Sequence, residues 1–251
     1  MALGLNESGS DRGRGRKISE VLAREILKDA SRRGLEAGDR LQSESEMIEH
    51  LGVGRGSVRE ALRILEVQGL LRIRSGPGGG PVLRQASSSD YGRTSTLYFM
   101  AEGATYSEVI EARAAMTGLM ARLAAERAPA GAAERLAESI AATEQVRDRD
   151  GRTWSRTASD FYTAIAEMCQ NRVVALFCLA LMSVYLDHLP PVPLGDDHRQ
   201  RVLAVHRDIA RAVGRGDGEE AERLMTDHLL EFAEDVRRAF PGFMDEVVDW
   251  D

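Results

Sequence analysis

The stretch Ser43–Leu71 limits the possible folds of this chain more than any other segment. Ser43 and Glu46 have the spacing of a capping box, which predicts that a helix starts there. Gly52-Val53-Gly54 interrupts that helix, and the apolar spacing predicts a second helix to about Gln68. Two short helices joined by a tight turn predict a helix-turn-helix unit.

The second helix combines an apolar face with a row of arginines. Arg55, Arg59 and Arg63 are four residues apart, so they lie along one side of the helix. The apolar face beside them consists of Val58, Ala61, Leu62 and Leu65. A helix that buries one side and presents arginines on the adjacent side suits the major groove of DNA. For Arg63 we favour a solvated charge or a partner of Glu60 or Glu66.

The segments that flank this pair predict a winged unit. A first helix is expected from about Ile18 to Gly34, and Gly38–Leu41 is expected to be a turn. Residues 1–16 lack apolar periodicity and are predicted to be a disordered tail. After Gly69, two short strands are predicted at Leu70–Arg74 and Pro81–Arg84, with Arg72, Arg74 and Arg84 on them.

The loop between these strands, Ser75–Gly80, has two possible interpretations. Glycine loops that bind nucleotide phosphates open directly into a helix, whose N-terminus binds the anion. Here Pro81-Val82-Leu83 follows, which favours a strand. We therefore prefer the tip of a β-hairpin wing, with its backbone close to DNA.

Charge is distributed unevenly along the chain. Residues 1–86 contain 15 lysines and arginines against 12 acidic residues, whereas the remainder contains 18 against 28. A basic first part and an acidic second part argue against a protein that is basic throughout. They predict that the N-terminal part alone meets a polyanion.

Two cysteines, Cys169 and Cys178, lie nine positions apart in a helical region. The first 17 residues have no apolar core of the kind that a secretory signal needs, so we expect a cytoplasmic protein with two buried thiols. The longest apolar run, Val173–Leu186, is too short to cross a bilayer, which takes about 20 residues. It is predicted to be a helix that is buried on all sides.

The second half of the chain has helical periodicity throughout. Capping signals at Thr105/Glu108 and Asp217/Glu220 start two of its helices, and the proline-rich run 190–193 breaks the chain between two others. The fold class is therefore mainly α: three helices plus a β-hairpin wing, followed by an all-α bundle of six or seven helices. The expected organisation is a tail at 1–16, a DNA-binding domain at 17–85, a linker at 86–90 and a bundle at 91–251. The helices of the bundle are predicted at 91–101, 105–127, 129–148, 153–169, 172–188, 196–213 and 217–240.

Several motifs resemble those of the GntR family of bacterial transcription factors. In the first domain they are L41-Q-S-E-S-E, G52-V-G-R-G-S-V-R-E-A-L and L65-E-V-Q-G-L-L-R-I-R. The second domain resembles the FadR-type effector domain, called FCD, at E111-A-R, F161-Y-T-A-I-A-E-M-C-Q-N and H206-R-D-I-A-R-A-V-G-R-G-D. The resemblance covers nearly the whole chain beyond the tail.

The resemblance implies a set of DNA contacts around the turn and the wing. The positions that match are Ser43, Glu44, Gly54, Arg55, Gly56, Ser57, Arg59, Arg74, Ser75 and Gly76. Gly54 and Gly56 would let the backbone approach DNA closely, and an arginine that reads guanine is the commonest specific base contact. Many relatives have an arginine where this chain has Ser45, which removes one expected contact.

The resemblance also raises the question of a metal in the bundle. Many FCD proteins hold a divalent ion with an Asp and a His four apart and with two later histidines. The later pair matches His206 and His228, which lie on apolar faces, but the first two positions fall on Ala158 and Tyr162. Asp160 lies about 200° around the helix from Ala158 and cannot replace that ligand. The alternative is that the two histidines are buried and hydrogen-bonded to Tyr162 or to an effector.

The function implied is a homodimeric, ligand-responsive DNA-binding regulator, most simply a repressor of an inverted-repeat operator. Its effector would be a small organic acid or an acyl-CoA, with Arg113, Tyr162, His206 and His228 around it. Arg113 would pair with a carboxylate of the ligand, or else with a neighbouring glutamate. Two alternatives stay open: a DNA-binding dimer with a vestigial effector domain, and a metal-dependent hydrolase with an accessory DNA-binding unit.

Overall fold

The chain forms two compact units in a computed structural model, the first ending at Asp90 and the second beginning at Tyr91. The structure describes residues 11–76, 78–146, 152–186, 188–189 and 195–249. Within these ranges no helix is long and apolar enough to cross a membrane. The predicted break at 190–193 lies outside the described residues.

The first unit, over its described residues, is a three-helix winged helix-turn-helix. Its elements are α1 (Asp11–Arg32), α2 (Glu44–Leu51), α3 (Arg55–Val67), β1 (Leu71–Arg74) and β2 (Gly80–Leu83). The strands are antiparallel, with Leu71 opposite Leu83 and Arg74 opposite Gly80. The core is formed by apolar residues of the three helices and β1: Leu22, Ile26, Met47, Val58, Leu62, Leu65 and Leu71. The predicted helix pair and wing are thus confirmed.

The predicted disordered tail at 1–16 is wrong for its last six residues. Helix α1 begins at Asp11, while residues 1–10 lie outside the described part of the chain. Once a helix is anchored by buried residues such as Leu22 and Ile26, each added residue gains a backbone hydrogen bond without a new nucleation cost. The helix therefore extends beyond its apolar face, and apolar periodicity cannot detect that extension.

The segment Gly38–Leu41, which we expected to be a simple turn, also pairs with the wing. The Gly38 N–H donates to Leu83 O at 2.9 Å, and the Leu41 N–H donates to Pro81 O at 3.0 Å. The free edge of β2 is therefore covered by backbone from the segment before α2. Such pairing depends on a partner about 40 residues away and has no local sequence signal.

The second unit is an all-α bundle, with seven helices in the part that the structure describes. They are α4 (Ser88–Glu102, whose first three residues belong to the first unit), α5 (Tyr106–Arg127), α6 (Ala132–Gln145), α7 (Arg152–Met168), α8 (Arg172–Leu186), α9 (Asp196–Arg215) and α10 (Gly218–Ala239). A 3₁₀ turn follows at Phe243–Asp245. Helix α5 is central, because it packs against α7, α8, α9 and α10. The capping box at Thr105 and Glu108 starts it, as predicted.

The predicted linker at 86–90 is partly wrong, because α4 begins at Ser88. The Ser87 hydroxyl accepts a hydrogen bond from the Ser89 N–H at 3.2 Å. Serines that look like a flexible connection therefore cap a helix, which is a common role for serine. Asp90 in the first turn of α4 forms an ion pair with Arg84 at 3.3 Å.

The prediction that the helix at Val173–Leu186 is buried on all sides is also wrong. Val173 is 61% exposed and Phe177 is 37% exposed. Cys178, Val184 and Tyr185 of the same helix are buried. An apolar sequence shows that a helix can be buried, but it does not show how many sides neighbouring helices cover.

We expect Gly118→Ala to destabilise the second unit, because Gly118 lies where α5 contacts α10. A Cβ at this position would be 2.2 Å from Thr226 Oγ1 and 3.2 Å from the Glu222 carbonyl oxygen. Overpacking of this kind costs about 1–3 kcal/mol in the free energy of unfolding, which urea titration of the purified variant would measure. Gly195→Ala is the control, because a Cβ there meets nothing within 4 Å. Equal stability of the two variants would contradict the prediction.

Candidate DNA-reading surface and ligand cavity

The start of α2 is built by a reciprocal cap. The Glu46 N–H donates to Ser43 Oγ at 3.3 Å, and the Ser43 N–H donates to Glu46 Oε2 at 2.7 Å. These hydrogen bonds, chiefly the one from the Ser43 backbone, lower the pKa of Glu46. Ser43, a predicted DNA contact, thus has a structural role, although its hydroxyl hydrogen remains available to a phosphate. Gly52 ends α2 in the left-handed region at φ 63°, which permits the tight turn.

The three arginines of α3 lie on its exposed side. Val58, Ala61, Leu62 and Leu65 on the other side are buried. Arg59 Nε lies 2.9 Å from Glu44 Oε2, so two predicted DNA contacts form an ion pair with each other. Within the part of the chain that the structure describes, Arg55 and Arg63 form no ion pair. The interpretation of Arg63 as a solvated charge therefore fits, whereas the described residues show no pairing with Glu60 or Glu66.

The first turn of α3 is open to an approaching molecule. Gly54 caps this helix without a side-chain hydrogen bond, and Gly56 follows in the first turn. A Cβ added to either glycine would meet no atom within 4 Å. The Ser57 N–H already donates to Gly54 O at 3.0 Å. The N–H groups of Arg55 and Gly56, at the positive end of the helix dipole, can therefore donate to a DNA phosphate.

The wing presents Arg74, Ser75 and Gly76 as exposed residues at the end of β1. Its loop is held by a hydrogen bond from the Gly79 N–H to Gly76 O at 2.8 Å. A Cβ at Gly79 would lie 2.2 Å from the Arg74 carbonyl oxygen, so this position requires glycine. Because a strand and not a helix follows the loop, the structure supports the wing and contradicts the nucleotide-binding alternative.

Two residues that sequence reasoning missed hold the wing in place. The Arg40 guanidinium donates to Gly79 O, and Glu66 Oε1 accepts from the Ile73 N–H at 3.0 Å. Glu66 therefore links the end of α3 to β1. Arg84, which we predicted on the second wing strand, lies just after β2 and pairs with Asp90. None of these partners could be identified from spacing, because each depends on the tertiary fold.

In the second unit, the predicted effector residues Arg113 and Tyr162 line one small cavity. The gaps between its lining atoms add up to about 150 Å³, but none of them is wide enough to hold a water molecule. The other lining residues come from α5 and α8: Thr117, Met120, Cys178, Leu179 and Met182. Burial raises the pKa of the Cys178 thiol to about 11, so this cysteine is not reactive at neutral pH. Both cysteines are buried and free, as expected.

Arg113 is the main charged group of this cavity, and it is 3% exposed. Its Nη1 has no hydrogen-bond partner among the described protein atoms. The guanidinium carbon lies 5.3 Å from the centre of the Tyr162 ring and 6.0 Å from that of Tyr185. Burial lowers the pKa of Arg113, and the groups that oppose this effect are two phenols and the Cys178 thiol. The alternative of a salt bridge to a neighbouring glutamate is therefore wrong.

His206 and His228 point inward, as predicted, but they contact Tyr162 instead of lining the cavity. Tyr162 Oη lies 2.8 Å from His228 Nε2. His206 stacks on Phe161 with 4.1 Å between ring centres, and neither of its ring nitrogens has a hydrogen-bond partner in the described chain. Burial, followed by the charge of Arg113, lowers the pKa of His228 to about 4. Burial likewise lowers the pKa of His206 well below its ordinary value, so both rings are neutral at pH 7.

The residues around these histidines do not fit a metal ion. Ala158 offers no donor atom, and Asp160 is exposed on another side of α7. Burial raises the pKa of Tyr162, so its phenol keeps its proton and is occupied by His228. A protein metal site normally has three or four ligands. No group of three or more His, Cys, Asp or Glu side chains suited to a metal occurs in the described ranges.

Comparison with known proteins matches both units to named families. Residues 18–79 match the gntR family of bacterial regulatory proteins, and residues 108–231 match the FCD domain. The HTH-type transcriptional repressor NanR of Edwardsiella tarda is 28% identical over 218 residues, which span 85% of this chain and 83% of the relative. NanR of Escherichia coli K12 is also 28% identical, over 85% of this chain and 82% of the relative.

A solved structure supports the same fold. GntR of Streptococcus agalactiae superposes with a TM-score of 0.65 over 86% of this chain and 99% of its own, at 22% sequence identity. The NanR relatives are transcriptional regulators and not enzymes, so the hydrolase alternative is set aside.

Gly56→Ala should stabilise the protein and weaken its binding to DNA. The added methyl group meets no protein atom, and it restricts the unfolded chain, which raises the free energy of unfolding by about 0.4–1 kcal/mol. The same methyl group occupies the space through which DNA would approach α3. Urea unfolding and fluorescence anisotropy of labelled DNA would measure the two effects. A variant that is more stable and yet binds DNA more weakly cannot owe the weaker binding to unfolding. Unchanged DNA affinity would contradict the prediction.

Proposed function

The chain belongs to the GntR family of bacterial regulatory proteins and carries an FCD domain, and from this premise we propose that it is a repressor released from its operator by a small organic acid. The first unit binds the operator through α3 and the wing. The second unit binds the acid in the cavity around Arg113. The named relatives that span most of the chain are repressors, which supports repression over activation.

The exposed side of α3 is the observation that supports the DNA-binding role. Arg55, Arg59 and Arg63 face solvent beside an open helix N-terminus, while the wing adds Arg74 at the end of β1. Arginines and free N–H groups on one helix are suited to phosphates and to guanine edges in the major groove. Ser45 follows Glu44 in α2 and is exposed, and it lacks the charge that the family resemblance implies at this position.

Buried Arg113 is the observation that supports an acidic effector. A guanidinium keeps its charge in proteins, and a buried charge without a partner is costly unless another group compensates it. The described residues that face it are phenols and a thiol, so a carboxylate from outside the protein is the group that would complete the site. Tyr185 Oη also lacks a hydrogen-bond partner among the described residues, and the centre of its ring lies 6.0 Å from the Arg113 guanidinium carbon.

The buried guanidinium of Arg113 favours a small acid over an acyl-CoA, because an acyl thioester carries no free carboxylate. The side chains around Arg113 leave no space for even a water molecule, so a ligand would enter only when they move apart. The apolar lining by Met120, Leu179 and Met182 suits a short carbon chain. We propose that the ligand binds without a resident metal, since Ala158 and Tyr162 replace two of the ligands that the family provides. His206 and His228 would support Tyr162 from behind.

The proposed regulator acts as a homodimer of the FadR type in the cytoplasm. A dimer matches an operator with inverted symmetry, because each winged unit reads one half-site. The acid would lower operator affinity through a coupling free energy between the two sites. A vestigial second unit is the competing candidate, and it differs in one observable: no acid would change the affinity for DNA.

Arg55→Ala should weaken operator binding by about 1–3 kcal/mol, mainly through one base-pair position. The physical reason is the loss of a paired hydrogen bond to a base edge. The operator would first be selected from random duplexes with the full-length protein, and binding would then be measured by fluorescence anisotropy. Arg63→Ala is the matched control, because loss of a solvated charge should weaken all sequences uniformly. Operator affinity unchanged by Arg55→Ala would rule out the proposed reading surface.

Arg113→Met should make the ligand-free protein more stable while it abolishes the response to the acid. Removal of a buried guanidinium with an unpaired N–H relieves a cost of about 1–3 kcal/mol, which should appear as a higher melting temperature. Thermal melts and operator release would be measured with a panel of carboxylates of two to six carbons. A ligand that binds only the folded state raises the melting temperature of the wild type.

Arg122→Met serves as the control, because Arg122 is also on α5 but is exposed and paired with Glu126 and Glu222. It should keep the response to the acid. If Arg113→Met still released DNA on addition of the same acid, the assignment of the cavity would be wrong.

A further inference from the structure

Glu44 and Arg59 form an ion pair across the turn, on the surface where the proposed function places DNA. Glu44 Oε2 lies 2.9 Å from Arg59 Nε, and the side chains remain 34% and 63% exposed, respectively. Exposed pairs of this kind contribute little to stability. The carboxylate also brings a negative charge to a surface that approaches a polyanion, which by itself weakens DNA binding. Electrostatic attraction to DNA therefore does not account for a glutamate at this position, and the ion pair itself adds little to folding.

The neighbouring side chains show that the pair is selective. On α2, the Glu46 carboxylate is taken by the Ser43 backbone N–H in the helix cap. On α3, neither Arg55 nor Arg63 has a carboxylate partner within the described ranges. An alternative role for Glu44 is stabilisation of α2, because a carboxylate in the first turn interacts favourably with the helix dipole. That role needs no contact with Arg59, which is 15 positions away in sequence.

The atoms of the contact determine what Arg59 can still bind. Glu44 accepts from Nε, and the hydrogen bonds of the described residues leave both terminal amino groups of Arg59 without a protein partner. A guanidinium is a rigid planar fork, so a hydrogen bond at Nε fixes the plane and the direction of the two terminal groups. Reading guanine requires two coplanar donors aimed at O6 and N7, whereas a phosphate can be bound from many directions.

We propose that Glu44 is a positioning residue for operator reading, which holds Arg59 through Nε so that its two terminal amino groups face a base edge in the major groove. The inference rests on the proposed DNA-binding function. An arginine side chain that is already ordered before binding loses no further conformational entropy when it binds. The adjacent carboxylate repels phosphates, so it disfavours the non-specific use of the same arginine. Glu44 thus lowers overall affinity for DNA and raises discrimination between sequences.

The test compares sequence preference among four full-length variants and the wild type. Glu44→Ala removes the hydrogen bond and the charge, whereas Glu44→Gln removes the charge and keeps an oxygen that can accept from Nε. Arg59→Ala identifies the base pair that Arg59 reads. Glu49→Ala removes the same charge from an exposed position of the same helix. Each protein selects from a random duplex library, and its affinities for the selected and for a scrambled duplex are then measured.

We expect Glu44→Ala to lose about tenfold in preference at the base pair whose preference Arg59→Ala also abolishes. Glu44→Gln should keep most of that preference, and Glu49→Ala should keep all of it. Binding to the scrambled duplex should strengthen alike in Glu44→Ala and Glu44→Gln, because both remove one negative charge. A residue that only stabilised α2 would leave the preference for that base pair unchanged.

Three results would overturn the inference. The preference could survive in Glu44→Ala, it could be lost equally in Glu44→Gln, or it could be lost at a base pair that Arg59→Ala leaves intact. The last result would mean that Glu44 itself contacts a base. If the wild type enriched no sequence, the proposed function would fail instead, so the two failures are distinguishable.

Discussion

Burial of one face of α3 is the constraint on which the whole first unit depends. Val58, Ala61 and Leu62 are each fully shielded from solvent, and they pack against α1 and α2. Because a helix is rigid, burial of this face determines the direction of the opposite one, and the arginine row must face solvent. Glu66 also fixes the position of the wing, because its Oε1 accepts a hydrogen bond from the Ile73 N–H. The reading helix and the wing are therefore positioned by a single packed core.

In contrast, the second unit buries polar groups in its core, which lowers its stability. Arg113, Tyr185 and His206 each have a buried polar atom without a hydrogen-bond partner among the described residues. Each such atom costs free energy in an interior of low polarity. The apolar contacts of α5 with α7, α8 and α10 offset this cost in free energy. The proposed ligand would complete this polar cluster, and functional sites commonly accept such local costs.

The features that could be predicted from sequence are those whose signal is local. The capping boxes at Ser43 and Thr105 place helix starts, because both partners lie within four residues. Inward-facing His206 and His228 follow from the helical period alone. The contacts that hold the candidate sites together are non-local: Arg40 contacts Gly79 across 39 positions, and Tyr162 contacts His228 across 66. No spacing rule identifies such partners.

The same physical limit explains the errors in the sequence-based predictions. The exposed side of α8 and the missing carboxylate beside Arg113 are properties of what surrounds a residue in space. Composition shows that Val173 and Phe177 are apolar, but it does not show whether a neighbouring helix covers them. The partners of Arg113 proved to be aromatic rings from α7 and α8, which no spacing within α5 could indicate.

Under the proposed function, arginine binds different anions in the two units because its surroundings differ. On α3 the guanidinium groups are hydrated, so each contact with DNA is weak, is screened by salt and must be repeated along the helix. In the cavity a single guanidinium faces an interior where water does not screen it, and one bound carboxylate can change its energy substantially. A row of exposed arginines suits DNA, which is a long polyanion whose base sequence must also be recognised. A single buried guanidinium suits a small anion, because binding of that anion would change the stability of the helix bundle.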